Sequence, residues 1–313
     1  MTSRLSVGDL HPELRRTYRW FPTPPVTHGW QRRLARAGTG MMRPPQPPEG
    51  VTREFVALGE GSGAHVFRPA APSGAALLWI HGGGMVIGAA AQDHARCGEL
   101  AADLGLVVVS AEYRLAPEHP YPAPLDDCHS AWEWLLAHAA DLGVAPSRIA
   151  IGGQSAGGGL AAGLVLRVHD EGGVQPAAQW LFCPMLDDRT AADRSRDGIR
   201  HFLWNNRSNL AGWNAYVGKA GAARVPAYAA PSRRDDLAGL PAAWVGTGDV
   251  ELFFDEDRAY AERLLAAGVD TTLDVVHGGP HAFESLAPGT SVARKYNARA
   301  RAWLAAALKV AGA

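Results

Sequence analysis

Between Arg148 and Leu160 the chain reads Arg-Ile-Ala-Ile-Gly-Gly-Gln-Ser-Ala-Gly-Gly-Gly-Leu, and no other stretch restricts the fold so strongly. An apolar run ends in glycines, one serine follows, and Ala156 opens a long Ala/Leu/Val segment with the character of a helix. Gly153-Gln-Ser155-Ala-Gly157 fits the G-x-S-x-G pattern in its required setting, between a strand and a helix. The glycines have a steric reason. A sharp strand-to-helix turn strains the backbone at the serine, and a Cβ on either flank would collide with neighbouring elements. Such a turn exposes the hydroxyl at the carboxyl edge of a sheet, near the positive end of a helix. A serine that merely caps a helix would need none of this packing.

The other segments between Val51 and the end alternate strand and helix. Arg53–Leu58 and Ala64–Pro69 flank Gly59-Glu-Gly-Ser-Gly63 and predict an antiparallel hairpin. Strands are then expected at Ala76–His81, Val107–Tyr113, Arg148–Gly152, Gln179–Pro184, Ala242–Gly246 and Thr271–Val276. Helices are expected at Gln92–Leu104, Pro124–Ala140, Ala156–His169, Asp255–Ala267 and Ser291–Ala307. This alternation implies a mostly parallel, eight-stranded sheet flanked by helices on both faces, an α/β fold. Chemistry in such folds lies at the carboxyl ends of the strands.

Two segments break the alternation. Residues 1–50 are basic, with nine Arg against four acids counted through Glu54, and they carry Trp20, Phe21 and Trp30. They leave through the proline-rich run Met41–Pro48, so two short amphipathic helices are expected here. Residues 185–240 hold Phe202-Leu-Trp-Asn-Asn206 and Gly212-Trp-Asn-Ala-Tyr-Val-Gly218, too long and too aromatic for a connection. Both segments are expected to form a helical cap over a catalytic domain made of residues 51–184 and 241–313.

Composition excludes several function classes. The 313 residues carry a formal net charge of −1, so nothing global points to nucleic acid or an anionic membrane surface. Apolar runs such as Ala76–Ile80 fall far short of the ~20 residues that cross a bilayer. Met1–Leu10 has no basic start followed by an apolar stretch, and the expectation is a cytoplasmic protein without a signal peptide. Cys97, Cys128 and Cys183 lie far apart inside apolar elements and are read as buried thiols, not a disulfide framework or metal cage.

Chemistry-bearing groups cluster at strand ends. Ala76–Ile80 runs into His81-Gly-Gly-Gly84, where consecutive glycines let bare N–H groups converge as an oxyanion hole requires. The Lys-Ser/Thr of a nucleotide loop is missing. His281 stands in His277-Gly-Gly-Pro-His281-Ala-Phe283 after the last strand, and Gly-Gly-Pro forbids the helix that would pair His277 and His281 on a metal. Asp249 and Glu251 follow strand Ala242–Gly246 and are both candidates for an acid, whereas Asp255, Glu256 and Asp257 suit a helix N-terminus and need no further role. The order is serine, acid, histidine, that of α/β-hydrolases.

With these residues in hand, the chain resembles the hormone-sensitive-lipase group of bacterial carboxylesterases (family IV). His81-Gly-Gly-Gly84, Tyr113–Ala123, Gly153-Gln-Ser-Ala-Gly157 and His281-Ala-Phe283 carry the likeness, which runs from about Val51 to the end. The resemblance implies Ser155 as nucleophile, His281 as base, and Gly83, Gly84 and Ala156 as oxyanion donors. The group's usual acid lies four residues before an Asp-Glu pair, a position held by Glu251. Three positions depart from its pattern: Gln154 and Glu251 stand where Asp is usual, and Ala282 where Gly is usual. The implied activity is serine carboxylesterase action on a small-molecule ester of short or medium acyl chain, with no metal or organic cofactor. Amidase, lactonase or deacetylase activity would use the same triad, and non-catalytic receptors of this fold lack the histidine. Arg114 and Glu118 are expected to form an internal ion pair, and Asp249 to bind backbone N–H groups of its own turn. Trp20, Phe202, Trp204 and Trp213 are expected to narrow the pocket, and edge pairing of Thr271–Val276 to form a homodimer.

Overall fold

The computed structural model of the chain describes residues 5–20, 26–41, 43 and 45–310; Phe21, together with Met42 and Pro44 of the proline-rich run, lies outside them. Eight strands form one sheet in the order β1-β2-β4-β3-β5-β6-β7-β8. They are β1 (Val51–Gly59), β2 (Ser62–Pro69), β3 (Ala76–Ile80), β4 (Val107–Glu112), β5 (Ile149–Gln154), β6 (Ala178–Phe182), β7 (Ala242–Gly248) and β8 (Thr271–Val276). β1 and β2 are the expected hairpin, and β2 pairs antiparallel with β4; every other pairing is parallel. β8 stands at one edge and β1 at the other.

The strand residues explain why both faces are covered. Along β3, Ala76, Leu78 and Ile80 enter one buried cluster while Leu77 and Trp79 enter the other. Side chains alternate with period 2, so a strand apolar at every position needs helices on each side. Burying each such Leu or Ile gains roughly 1.5–3 kcal/mol. α3 (His94–Leu104) and α10 (Ser291–Ala307) lie over one face, against Trp79, Trp180, Phe182 and Trp244. α4 (Ala123–Ala137), α5 (Ala156–Glu171) and α8 (Phe254–Ala266) lie over the other. Gly105 ends α3 in the left-handed region (φ 62°), where a glycine cap satisfies the last carbonyls without Cβ strain.

The strand order places the site. After β3 the chain moves outward to β4, then returns across β3 to form β5. Loops leaving the carboxyl ends of β3 and β5 therefore diverge, and a crevice opens between them. The loop after β3 carries His81–Gly84, and the turn after β5 carries Ser155.

Beyond the sheet, residues 5–41 hold α1 (Arg15–Arg19) and α2 (Gly29–Gly40), and the insertion holds α6 (Asp188–Ala192) and α7 (Asn206–Val217). Buried Asp188 binds the Arg233 guanidinium (2.6 Å) and the Gly221 N–H (2.7 Å), closing the insertion on itself. The expected Arg114–Glu118 pair does not form. Arg114 chelates buried Asp127 through Nη2 (2.7 Å) and Nε (2.8 Å), while Glu118 takes Arg36 from α2 (2.9 Å). A bidentate carboxylate one helix away matches the guanidinium fork better than a residue in the same loop. Arg36 also donates to the Val86 and Ala116 carbonyls, seating α2 on the loops beside the crevice. No helix among the described residues is long and apolar enough to cross a membrane.

Candidate active site

Ser155 follows the last residue of β5 and holds φ 57°, ψ −120°, a conformation that non-glycine residues rarely adopt. Contacts on all sides maintain it. Its N–H donates to the Phe182 carbonyl (2.8 Å), and its own carbonyl accepts from Gly159 (3.0 Å) and Met185 (2.9 Å). The flanking glycines are sterically required: a Cβ on Gly157 would overlap the Ile80 and His81 carbonyls, and one on Gly153 would overlap the Gly157 carbonyl. The strain at the elbow is thus held by its neighbours, and the hydroxyl is aimed at the crevice.

His281 meets that hydroxyl. Its Nε2 lies 2.9 Å from Ser155 Oγ and its Nδ1 lies 2.6 Å from Glu251 Oε2, all three residues being buried. Glu251 Oε1 accepts from Thr247 Oγ1 at 2.9 Å, so both carboxylate oxygens are directed. The two acid candidates are now separated. Asp249 accepts from the Gly278 N–H (2.7 Å) and pairs with Nδ1 of His277 (2.6 Å), a histidine 96% exposed on its side chain. Asp249 therefore braces the loop that carries His281 instead of its own turn. His277 and His281 have different partners, one in solvent and one in the crevice.

Opposite the serine, the glycine loop folds tightly. The Gly83 carbonyl accepts from Val86 (3.1 Å) and Ile87 (3.0 Å), with Gly83 at φ 131° and Gly84 at φ 60°. No hydrogen bond among the described residues takes the Gly83 or Gly84 N–H. The Ala156 N–H opens α5, where no intrahelical carbonyl can reach it. His81 is buried beneath, stacked on Tyr113 (4.2 Å between centroids), whose hydroxyl donates to the His81 carbonyl (2.9 Å). Ser155, His281, Gly83 and Gly84 line a cavity of about 450 Å³, with Leu203 and Trp204 contributed by the insertion. A polarisable serine, a directed imidazole and free N–H groups at one apolar cavity can together perform acyl transfer.

A family model described as having the alpha/beta hydrolase fold matches residues 77–285. The chain belongs to this alpha/beta hydrolase family. Esterase LipI of Mycobacterium tuberculosis (strain ATCC 25618 / H37Rv) is 35% identical over an aligned length of 207, covering 64% of this chain and 64% of that protein. The chain thus spans a little under two thirds of that curated relative's length. Among solved structures, a bacterial heroin esterase is 36% identical with a TM-score of 0.88, covering 97% of this chain and 99% of that one. An esterase from the bacterial hormone-sensitive lipase (HSL) family is 30% identical with a TM-score of 0.75, covering 95% and 99%. The sequence resemblance to that group holds along the whole fold.

Several residues of this alpha/beta hydrolase's site have no signature in the sequence. Tyr18 of α1 donates to the His281 carbonyl (2.7 Å), so the N-terminal segment touches the histidine loop directly. Of the aromatics expected at the pocket, Trp204 lines it, packed where a Cβ on Gly84 would fall. Trp20 is exposed, Trp213 is buried beside Tyr216, and Phe202 packs edge-on against Tyr18.

The acids after Glu251 are not merely helix-end charges. Asp255 is exposed and pairs with Arg196, but Glu256 and Asp257 are buried. Glu256 accepts from the Leu186 and Asp187 N–H groups. Asp257 is fully enclosed beside Thr247 and Glu251. Burial, then the neighbouring Glu251 and Glu256 charges, pushes Asp257 well above the usual carboxylate range. A carboxyl raised in the folded state contributes stability that is present below the unfolded value of ~3.9 and is lost as pH rises above it. Asp257→Asn removes the penalty. The variant is expected to melt higher than the parent at pH 7–8, with the gap closing towards pH 4. Thermal melts across that range check it, and parallel pH profiles would contradict it.

Proposed function

We propose that this alpha/beta hydrolase is a serine carboxylesterase acting on short- to medium-chain acyl esters. One observation carries the reading: Ser155 Oγ, His281 and Glu251 form a continuous hydrogen-bonded relay at the mouth of an apolar cavity. His281 Nε2 takes the Ser155 proton as Oγ attacks the ester carbonyl carbon. The oxygen that gains charge is received by the N–H groups of Gly83, Gly84 and Ala156. His281 then gives the proton to the departing alkoxide, which leaves as alcohol and an acyl-serine. Water, deprotonated by the same imidazole, attacks the acyl-serine; the imidazolium returns that proton to Ser155 Oγ as the carboxylic acid leaves. Glu251 fixes the tautomer with Nδ1–H facing the carboxylate and stabilises the imidazolium. The esterase names of LipI and the heroin esterase support the same reaction class.

The acyl-length limit rests on Trp204 and Leu203, which the insertion brings across the glycine loop. Each methylene that the cavity accepts gains up to ~0.8 kcal/mol, or about fourfold in kcat/KM, until the wall is met. A series of esters from acetyl to palmitoyl tests this. The expected profile rises to a maximum at short or medium acyl length and then falls; a maximum at palmitoyl would overturn the limit.

A further inference from the structure

The nucleophile and base come from segments 126 residues apart, and their 2.9 Å contact depends on how β5 sits against the loop after β8. A second contact spans the same gap. Gln154, immediately before Ser155, donates its amide Nε2 to Glu284 Oε1 and to Ser285 Oγ (2.8 Å). Glu284 is the third residue after His281, and Gln154 and Glu284 are only 6% and 2% exposed. Arg96 completes the patch. Its Nη2 donates to Ser285 Oγ (2.8 Å) and lies 3.6 Å from Glu284 Oε1, while its guanidinium rests on the faces of Trp79 and Phe182.

Donors and acceptors balance around an amide at position 154. The two hydrogens of Nε2 serve Glu284 and Ser285, and Ser285 Oγ leans towards Glu284 Oε1 (3.4 Å). A carboxylate at 154 would offer no hydrogen and would face Glu284 with like charge, out of water. We propose that Gln154 and Glu284 are a positioning pair, an amide–carboxylate strut that sets the spacing between the Ser155 elbow and the His281 loop. The proposal rests on Ser155 and His281 being nucleophile and base. It adds that their alignment is maintained by the buried Gln154–Glu284 contact, at the edge of the cavity that Gln154 and Ser285 help to line.

The test is an exchange of the two side chains. Gln154→Glu is expected to lower kcat and the rate constant of labelling by a fluorophosphonate roughly 10- to 100-fold, since misalignment of about 1 Å costs that much. Gln154 and Ser285 also line the cavity, so KM can move too, and kcat with the labelling rate carries the test. Adding Glu284→Gln inverts donor and acceptor while conserving shape, and the double variant is expected to recover to within about fivefold of the parent. Gln154→Leu keeps the volume without the donor. It is expected to lose about tenfold in kcat and in labelling rate, and it serves if Gln154→Glu does not fold. A patch that is only structural would move the melting temperature and leave kcat at 25 °C alone. The proposal is overturned if Gln154→Glu or Gln154→Leu labels at the parent rate, or if the exchanged pair is as slow as Gln154→Glu. A parent protein that does not label at all would instead count against the nucleophile assignment.

Discussion

Glu251→Gln is expected to lower kcat by about 10³ or more while the protein stays folded. The amide retains the shape of the side chain but can present its N–H to His281 Nδ1, which selects the tautomer that cannot accept the serine proton at Nε2. It also removes the negative charge that stabilises the imidazolium, at a buried contact of 2.6 Å. Asp249→Asn is the internal control. Its oxygen can still accept from the Gly278 N–H, and the contact it weakens leads to solvent-exposed His277. That variant is expected to keep kcat within a few-fold and to lose about 1 kcal/mol of stability. Steady-state rates and thermal melts of both variants check the pair. An inactive Asp249→Asn beside an active Glu251→Gln would reassign the acid.

Gly83→Ala is expected to lower kcat by roughly 10²–10³, with a smaller effect on KM. Gly83 has φ 131°, a region that L-residues avoid, and a Cβ there would overlap the Ile87 carbonyl. That overlap lies inside the turn closed by the Val86 and Ile87 N–H groups on the Gly83 carbonyl, so relief must move the loop. The N–H groups then leave the point where charge develops in the transition state, although the cavity wall of Trp204 and Leu203 remains to bind the substrate. Rates measured beside a melting curve separate this from unfolding. A variant with parental kcat would remove Gly83 from the oxyanion hole.

How much of this was legible in the chain depends on whether a residue acts through its local pattern. The elbow was legible because strand, glycines and helix are adjacent in sequence, and the structure puts Ser155 at the positive-φ turn that the pattern demands. Strand β8 and helix α10 have the bounds expected from alternation and capping: Thr290 accepts from Ala293 N–H at the start of α10. The choice of Glu251 over Asp249 came from the family resemblance, whose acid stands four residues before an Asp-Glu pair, here Asp255-Glu256. Groups that act across the fold left no such trace. Arg114 finds Asp127 on α4, Tyr18 reaches the His281 carbonyl, and Gln154 meets Glu284 from 130 positions away. Asp257 shows the same limit in reverse. Its place in the first turn of α8 suggests a solvated end charge, yet it is fully buried beside Thr247 and Glu251.

Ester hydrolysis is expected to pass through a covalent acyl intermediate on Ser155. The most direct measurement is mass spectrometry of the protein after brief reaction with a fluorophosphonate, followed by peptide mapping. One adduct is expected, on the peptide holding Ser155, lost in Ser155→Ala together with ester hydrolysis. An adduct on another residue, or a Ser155→Ala protein that still hydrolyses esters at the parental rate, would contradict it.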